Sequence, residues 1–282
     1  MNNLKTVGLL AVMSVLVGLL VYYVLDQSFL VMMLVVVGFN FVSYFFSDKM
    51  AIAATRAKPV EEHQLPQVYS IVRNLTMRTG LPMPRIYVIE SPQPNAFATG
   101  RNPKNAAVAV TTGILQMLTN DELEGVLAHE LAHVANRDIL ISSIAAMMAA
   151  ALSLFARISL FTGGGGRDRN NPIGAIASIL AIVLAPVAAM LIRAAISRTR
   201  EFQADESGAE ITGRPLQLAS ALEKIAAGTA RIPMVVNPAT SQLFIDNPLK
   251  ALRGSGITNL FSTHPPAEQR IERLTRMASG IR

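Results

Sequence analysis

V-L-A-H-E-L-A-H-V-A-N-R, residues 126–137, is the stretch whose reading decides the fold. Apolar positions continue at helical spacing on both sides, so His129 and His133 stand one turn apart on one face, with Glu130 rotated about 100° away. Two neutral imidazoles so placed reach one Zn²⁺ at about 2.0–2.1 Å, while the carboxylate beside the first lies too far round to ligate. Zn²⁺ lowers the pKa of water from 15.7 to about 7, and a neighbouring carboxylate can take the proton as that water attacks a carbonyl carbon. Glu130 is therefore the expected general base. The competing reading is an ordinary amphipathic helix, but the chain has only four histidines and two of them complete the pattern.

Composition narrows the setting. Of 282 residues, 51% are hydrophobic and the mean hydropathy is +0.39, which is too apolar for one ordinary soluble domain and points to a membrane protein with a water-exposed part. There is no cysteine, so disulfides, thiolate ligands and a cysteine nucleophile are excluded; His and carboxylates remain as strong metal ligands. The net charge of +6 comes without tryptophan and with five tyrosines. The basic residues lie mainly outside the apolar runs, so they read as topology signals and contacts with anionic lipid, and no nucleic-acid partner is expected.

Residues 4–25 and 29–46 are apolar runs long enough to cross about 30 Å of hydrocarbon, with Asp26, Gln27 and Ser28 between them. A cleaved signal peptide is disfavoured for the first run, because its apolar part is too long and no A-x-A site precedes the second. Lys5 precedes the pair, the turn lacks Lys and Arg, and Lys49, Arg56, Lys58, Arg73, Arg78 and Arg85 follow. Both ends of this transmembrane hairpin, and the metal motif after it, are thus expected in the cytoplasm.

Helical spacing over 65–79 stops at Gly80-Leu81-Pro82, and residues 85–89, 96–99 and 106–111 read as short strands of a small sheet. Thr119-Asn120-Asp121-Glu122 fits a capping box that starts the metal helix. Beyond Asp138 the chain is apolar over 139–161 and 173–196, joined by a Gly-rich connector. These runs are expected to form a second membrane hairpin, with an apolar hairpin packed on the protein itself as the rival. Arg157 and Arg193 lie near run ends, from which they can snorkel.

Equal hairpin arms suggest a third metal ligand. From His133 to Phe161 and from Ile173 to Glu201 are 28 residue steps each, which brings Glu201 level with His133. A His₂Glu site keeps a fourth position open, as a catalytic zinc needs. Asp205, one helical turn on, is placed to accept the free ring N–H of a ligating His. The bland reading of Glu201 is a surface carboxylate paired with Arg198 or Arg200. Residues 232–256, rich in Pro and Asn, are expected to cover the site. His264 has two readings: a group that reaches the zinc site, stabilising an oxyanion or filling the open position at rest, or a turn histidine before a proline-started helix.

With these residues in view, H-E-L-A-H at 129–133, S-R-T-R-E-F-Q-A-D at 197–205, N-A-F-A-T-G at 95–100 and T-H-P-P at 263–266 resemble the bacterial HtpX membrane zinc metalloproteases, relatives of the CAAX prenyl endopeptidases. The resemblance covers nearly the whole chain. It implies a gluzincin-type endopeptidase with one Zn²⁺ on His129, His133 and Glu201, Glu130 as base and Asp205 supporting the ligands. It further implies a multi-pass protein of the bacterial inner membrane, acting in quality control under stress on unfolded or misfolded membrane proteins. The expected fold is a mainly α membrane protein with four apolar helices and a zincin-like cytoplasmic domain containing the small sheet. Its expected parts are an N-terminal hairpin (1–50), the sheet and zinc-motif helix (51–138), the second apolar hairpin (139–196) and the third-ligand helix with the C-terminal part (197–282).

Zinc would then lie roughly 8–9 Å from the hydrocarbon edge, at 1.5 Å per residue. A substrate is expected to add as an extended strand beside Asn95, Ala96, Phe97 and Ala98. The rival from another class is a non-catalytic membrane scaffold or chaperone whose zinc is structural, closed by a fourth protein ligand. A transporter, suggested by Arg157 and Arg193, is disfavoured because neither has an acidic partner at equivalent depth.

Overall fold

A computed structural model describes residues 29–144, 198–236, 238–251 and 265–280, with 11, 14 and 15 besides. Nearly all of the first apolar run, all but the opening residues of the 139–196 hairpin, and His264 lie outside them. The rest is mostly helical around one small mixed sheet.

Helix α1, Phe29–Thr55, runs nine residues past the end of the second apolar run and is bent by 57° between Val42 and Tyr44. Before the bend it exposes Phe29, Leu30, Leu34, Val37 and Phe41. Beyond it Ser47, Asp48, Ala51, Ile52 and Thr55 turn one stripe inward, and Arg85 on the sheet donates to the Asp48 carboxylate at 2.9 Å. The charges that end the hydropathy run therefore do not end the helix, because its last turns have a sheet to pack on. No single described helix is long and apolar enough to cross a membrane; the two halves of α1 pass that test only together.

Strands β1 (Lys58–Pro59), β2 (Arg85–Ile89), β3 (Ala96–Gly100) and β4 (Ala106–Thr111) pair in the order β1-β2-β4-β3. β2 and β4 are parallel, β1 and β3 run antiparallel to their neighbours, and the strand order leaves β1 and β3 at the two edges. Alternation sorts the side chains to two faces. Ile86, Ala96, Ala98, Val108 and Val110 join the helical core, while Ile89, Phe97 and Ala109 meet Ala51 of α1 and Met234, Leu243 and Phe244. Both faces are covered, which is why β3 and β4 are buried throughout.

Helix α2, Pro66–Thr79, starts with proline in its first turn and ends at Gly80, whose φ of 68° is the left-handed conformation glycine adopts without a Cβ clash. A short helix α3, Thr112–Met117, follows β4 and leads into α4, Asn120–Ala135. The predicted capping box opens α4: the Thr119 hydroxyl accepts from the Glu122 N–H, and the Glu122 carboxylate accepts from the Thr119 N–H at 2.9 Å. Helices α5 (Arg198–Thr212) and α6 (Pro215–Arg231), with α2, pack around α4, and α7 (Ala267–Ala278) packs on α5 and α6. With 11 of its 16 residues buried, α4 is the central helix, and its metal motif faces the protein interior.

Candidate active site

Helices α4 and α5 carry the site between them. His129 and His133 project from α4 with ring centroids 4.8 Å apart, and Glu201 enters from the first turn of α5. Its Oε2 lies 3.8 Å from Nε2 of His129 and its Oε1 3.5 Å from Nε2 of His133. One ligand atom from each of these three residues falls within 4.8 Å of the others, the spacing of donors around one small cation. The helices come this close because Gly208, two turns after Glu201, has no side chain. A Cβ there would stand 2.9 Å from the backbone N of His129.

Each imidazole has a carboxylate behind it. Nδ1 of His129 lies 2.9 Å from Asp205 and Nδ1 of His133 lies 3.2 Å from Asp138, so each ring gives its Nδ1–H away and turns Nε2 toward Glu201. Burial works against a charged Asp205, but Arg270 and His129 outweigh it and hold the carboxyl down at about 2. For His133 burial pulls downward, and the bond to Asp138 with the charges of Glu201 and Glu130 reverses the effect, to about 9.

Glu130 is 3% exposed. Burial raises its pKa, Glu201 adds to the rise, and the two imidazoles and the Ala98 N–H oppose it. That N–H belongs to β3, so the edge strand holds the carboxylate in place. A cavity of about 30 Å³ lies among Ala98, Glu130, His133, Glu201, Leu243 and Phe244, room for a water or two but not for a peptide.

Residues 238–249 wrap this edge, within the stretch expected to cover the site. The Ile245 N–H donates to the Ala96 carbonyl at 2.9 Å, Phe244 meets Phe97 edge-to-face at 5.2 Å, and their side chains join opposite faces of the sheet. Asn95 donates from Nδ2 to the Asp246 carbonyl at 2.8 Å and accepts the Ala96 N–H. All of Asn95, Ala96, Phe97 and Ala98 are buried, and the covering segment occupies part of the edge they form.

Two residues at this site escape a reading of spacing alone. Asp138 reaches back to His133 because Arg137 takes a left-handed φ of 60°, closing the helix end with an Asp138 N–H to His133 carbonyl bond. A non-glycine residue rarely adopts that conformation, and no local pattern announces it. Arg270, in the first turn of α7, is 2% exposed and binds Asp205 with two nitrogens, at 2.8 and 2.7 Å. The only hint in the sequence is an arginine on the apolar face of an amphipathic helix.

The donor set suits zinc. Two imidazole nitrogens with fixed tautomers and one carboxylate, with no thiolate, match a three-ligand catalytic zinc site and leave one position for water or substrate.

Comparison with known proteins agrees with this chemistry. The sequence model of Peptidase family M48 matches residues 62–278, a range containing all of these groups. A Protease HtpX homolog of Pelotomaculum thermopropionicum is 52% identical over 283 residues, covering 99% of this chain and 100% of that one. The crystal structure of S. mikatae Ste24p superposes on 96% of this chain with a TM-score of 0.50 at 18% identity, a likeness of fold. This chain spans 64% of the length of Ste24p.

Proposed function

The chain belongs to peptidase family M48 and is a metalloprotease; from that premise we propose that it is a zinc-dependent endopeptidase cutting misfolded membrane proteins at the cytoplasmic face of a bacterial inner membrane. The observation that carries the mechanism is the convergence of His129, His133 and Glu201 beside a buried Glu130. Zinc held by His129, His133 and Glu201 would supply Lewis acidity for the scissile carbonyl and for water.

The chain's own groups do the rest. Asp205 and Asp138 hold the two imidazoles with Nε2 facing inward, so no ring has to reorient. Glu130 accepts the water proton and later returns it to the leaving amine. Its raised pKa brings it nearer the operating pH, where a general base works best. The Ala98 N–H aims that carboxylate at the cavity. An extended substrate lies along β3 beside Ala98 and borrows main-chain hydrogen bonds from the edge.

Helix α1 supports a location at the membrane. Its exposed apolar half leads into a half that packs on the back of the sheet carrying β3, so an anchor in lipid would hold the cleft near the surface. Lys49 over Phe46 and Arg101 over Phe45 set cations on aromatic rings, an arrangement suited to the interfacial zone.

The test is Glu130→Gln in purified, detergent-solubilised protein, assayed on an unfolded substrate. Zinc content should stay at one per chain while cleavage falls by several orders of magnitude. Equal cleavage would remove Glu130 from the mechanism.

A further inference from the structure

Four parts of the chain meet at the guanidinium of Arg270. Nε donates to Oδ2 of Asp205 at 2.8 Å and Nη2 to Oδ1 at 2.7 Å, a two-pronged pairing that holds the carboxylate in one orientation. The same Oδ1 stands 2.9 Å from Nδ1 of His129. Nη2 itself lies 3.3 Å from that ring nitrogen, so the guanidinium also walls one side of the imidazole. On its remaining arm, Nη1 donates to the Ile245 carbonyl at 3.2 Å, and the N–H of that same residue is bound to Ala96 of the edge strand. The group is buried from water.

A buried ion pair is a poor way to gain stability, because desolvation offsets most of the attraction and well-packed apolar residues serve as well. What an apolar replacement could not do is fix a carboxylate oxygen behind an imidazole. Lysine, a point charge on a flexible stem, could reach one oxygen but not both, nor the carbonyl besides.

We propose that Arg270 is a positioning residue with two arms: through Asp205 it sets the His129 ring for metal binding, and through the Ile245 carbonyl it sets the segment that borders the substrate edge of β3. This rests on the metalloprotease reading above. The metal arm acts chiefly by way of Asp205, beside the direct contact of Nη2 with both ring nitrogens at 3.3 and 3.4 Å, and the segment arm acts independently of it. The two arms therefore separate in a double-mutant cycle.

The experiment measures zinc dissociation by chelator competition, kcat and KM on an unfolded protein substrate, and the thermal midpoint of the metal-free protein. It compares full-length wild type, Arg270→Gln, Arg270→Lys, Asp205→Asn and Arg270→Gln/Asp205→Asn. Arg270→Gln and Asp205→Asn should each weaken zinc about 10- to 100-fold, and the double variant should weaken it hardly more than either, since both break one chain of contacts. The KM change from Arg270→Gln should persist in the Asp205→Asn background. Arg270→Lys, which retains the charge and keeps the test open if the glutamine variant does not fold, should leave the metal-free midpoint near wild type yet still bind zinc more weakly. Zinc losses that multiply in the double variant would overturn the proposal, as would wild-type zinc binding in a folded Arg270 variant. A wild type that binds no zinc or cleaves nothing would overturn the metalloprotease reading itself, an outcome visible without any variant.

Discussion

Replacing Gly208 with alanine tests how closely the two ligand-bearing helices must approach. A Cβ there would meet the backbone N of His129 at 2.9 Å, its Cα at 3.1 Å and the carbonyl carbon of Ala128 at 3.3 Å, where ordinary contact begins at 3.4 Å. All three atoms are main chain of α4, so no side chain can swing aside, and α5 has to lift by about 0.5 Å to bring the shortest contact from 2.9 to 3.4 Å. Overpacking of this kind costs about 1–3 kcal/mol, while alanine in place of a mid-helix glycine returns about 1 kcal/mol. The net loss of stability is therefore modest, about 0–2 kcal/mol. The metal site is less forgiving, because Glu201 and Asp205 ride on the displaced helix and zinc tolerates ligand distances of only about ±0.2 Å. Gly208→Ala should therefore remain folded, with a thermal midpoint near or a few degrees below wild type, and should bind zinc at least about tenfold more weakly in chelator competition. If zinc affinity is unchanged and the midpoint rises, as helix propensity alone would give, the close approach does not set the site.

The pH dependence of the metal-free protein follows from His133. Its folded pKa of about 9 lies above the ordinary 6.5, so its contribution to stability is full below pH 6.5 and disappears as pH rises through 9. Thermal midpoints of chelator-stripped protein should fall across that window. With zinc bound the imidazole has already lost its proton and this slope should vanish, and zinc added at pH 7.5 in weak buffer should release protons. Ala98→Pro removes the N–H that holds Glu130 and blocks the edge of β3, so cleavage should drop sharply; an unchanged rate would refute docking along this strand. Ile245→Pro deletes the donor to the Ala96 carbonyl, a bond worth about 0.5–1.5 kcal/mol, and should lower KM roughly two- to tenfold if that segment competes with substrate for the edge. A higher KM would instead make it part of the binding surface.

What the sequence discloses here is what periodicity and register carry. The i, i+4 spacing puts His129 and His133 together, the capping box starts α4 at Thr119, and Gly80 ends α2. Glu201 lies beside His133, where equal arm lengths would place it, but most of the arms themselves lie outside the described residues. Features that depend on tertiary contact were not legible. Asp138 faces His133 only through a left-handed Arg137, and the role of Arg270 depends on a helix more than sixty residues after Asp205 folding back over it. The two-residue strand at Lys58–Pro59 is too short for alternation to register. Helix α1 outlasts its hydropathy run because the sheet receives its last turns. The Pro- and Asn-rich composition of 232–256 reads as a cover, but the bond from the Ile245 N–H to the Ala96 carbonyl and the Phe244–Phe97 contact need the positions of Ala96 and Phe97 in space.

Anomalous diffraction at the zinc edge from crystals of the full chain tests the central claim most directly. We expect one zinc per chain, about 2.0–2.2 Å from Nε2 of His129, Nε2 of His133 and a carboxylate oxygen of Glu201. An active protein whose zinc lies away from Glu201, or that holds no metal there, would contradict it.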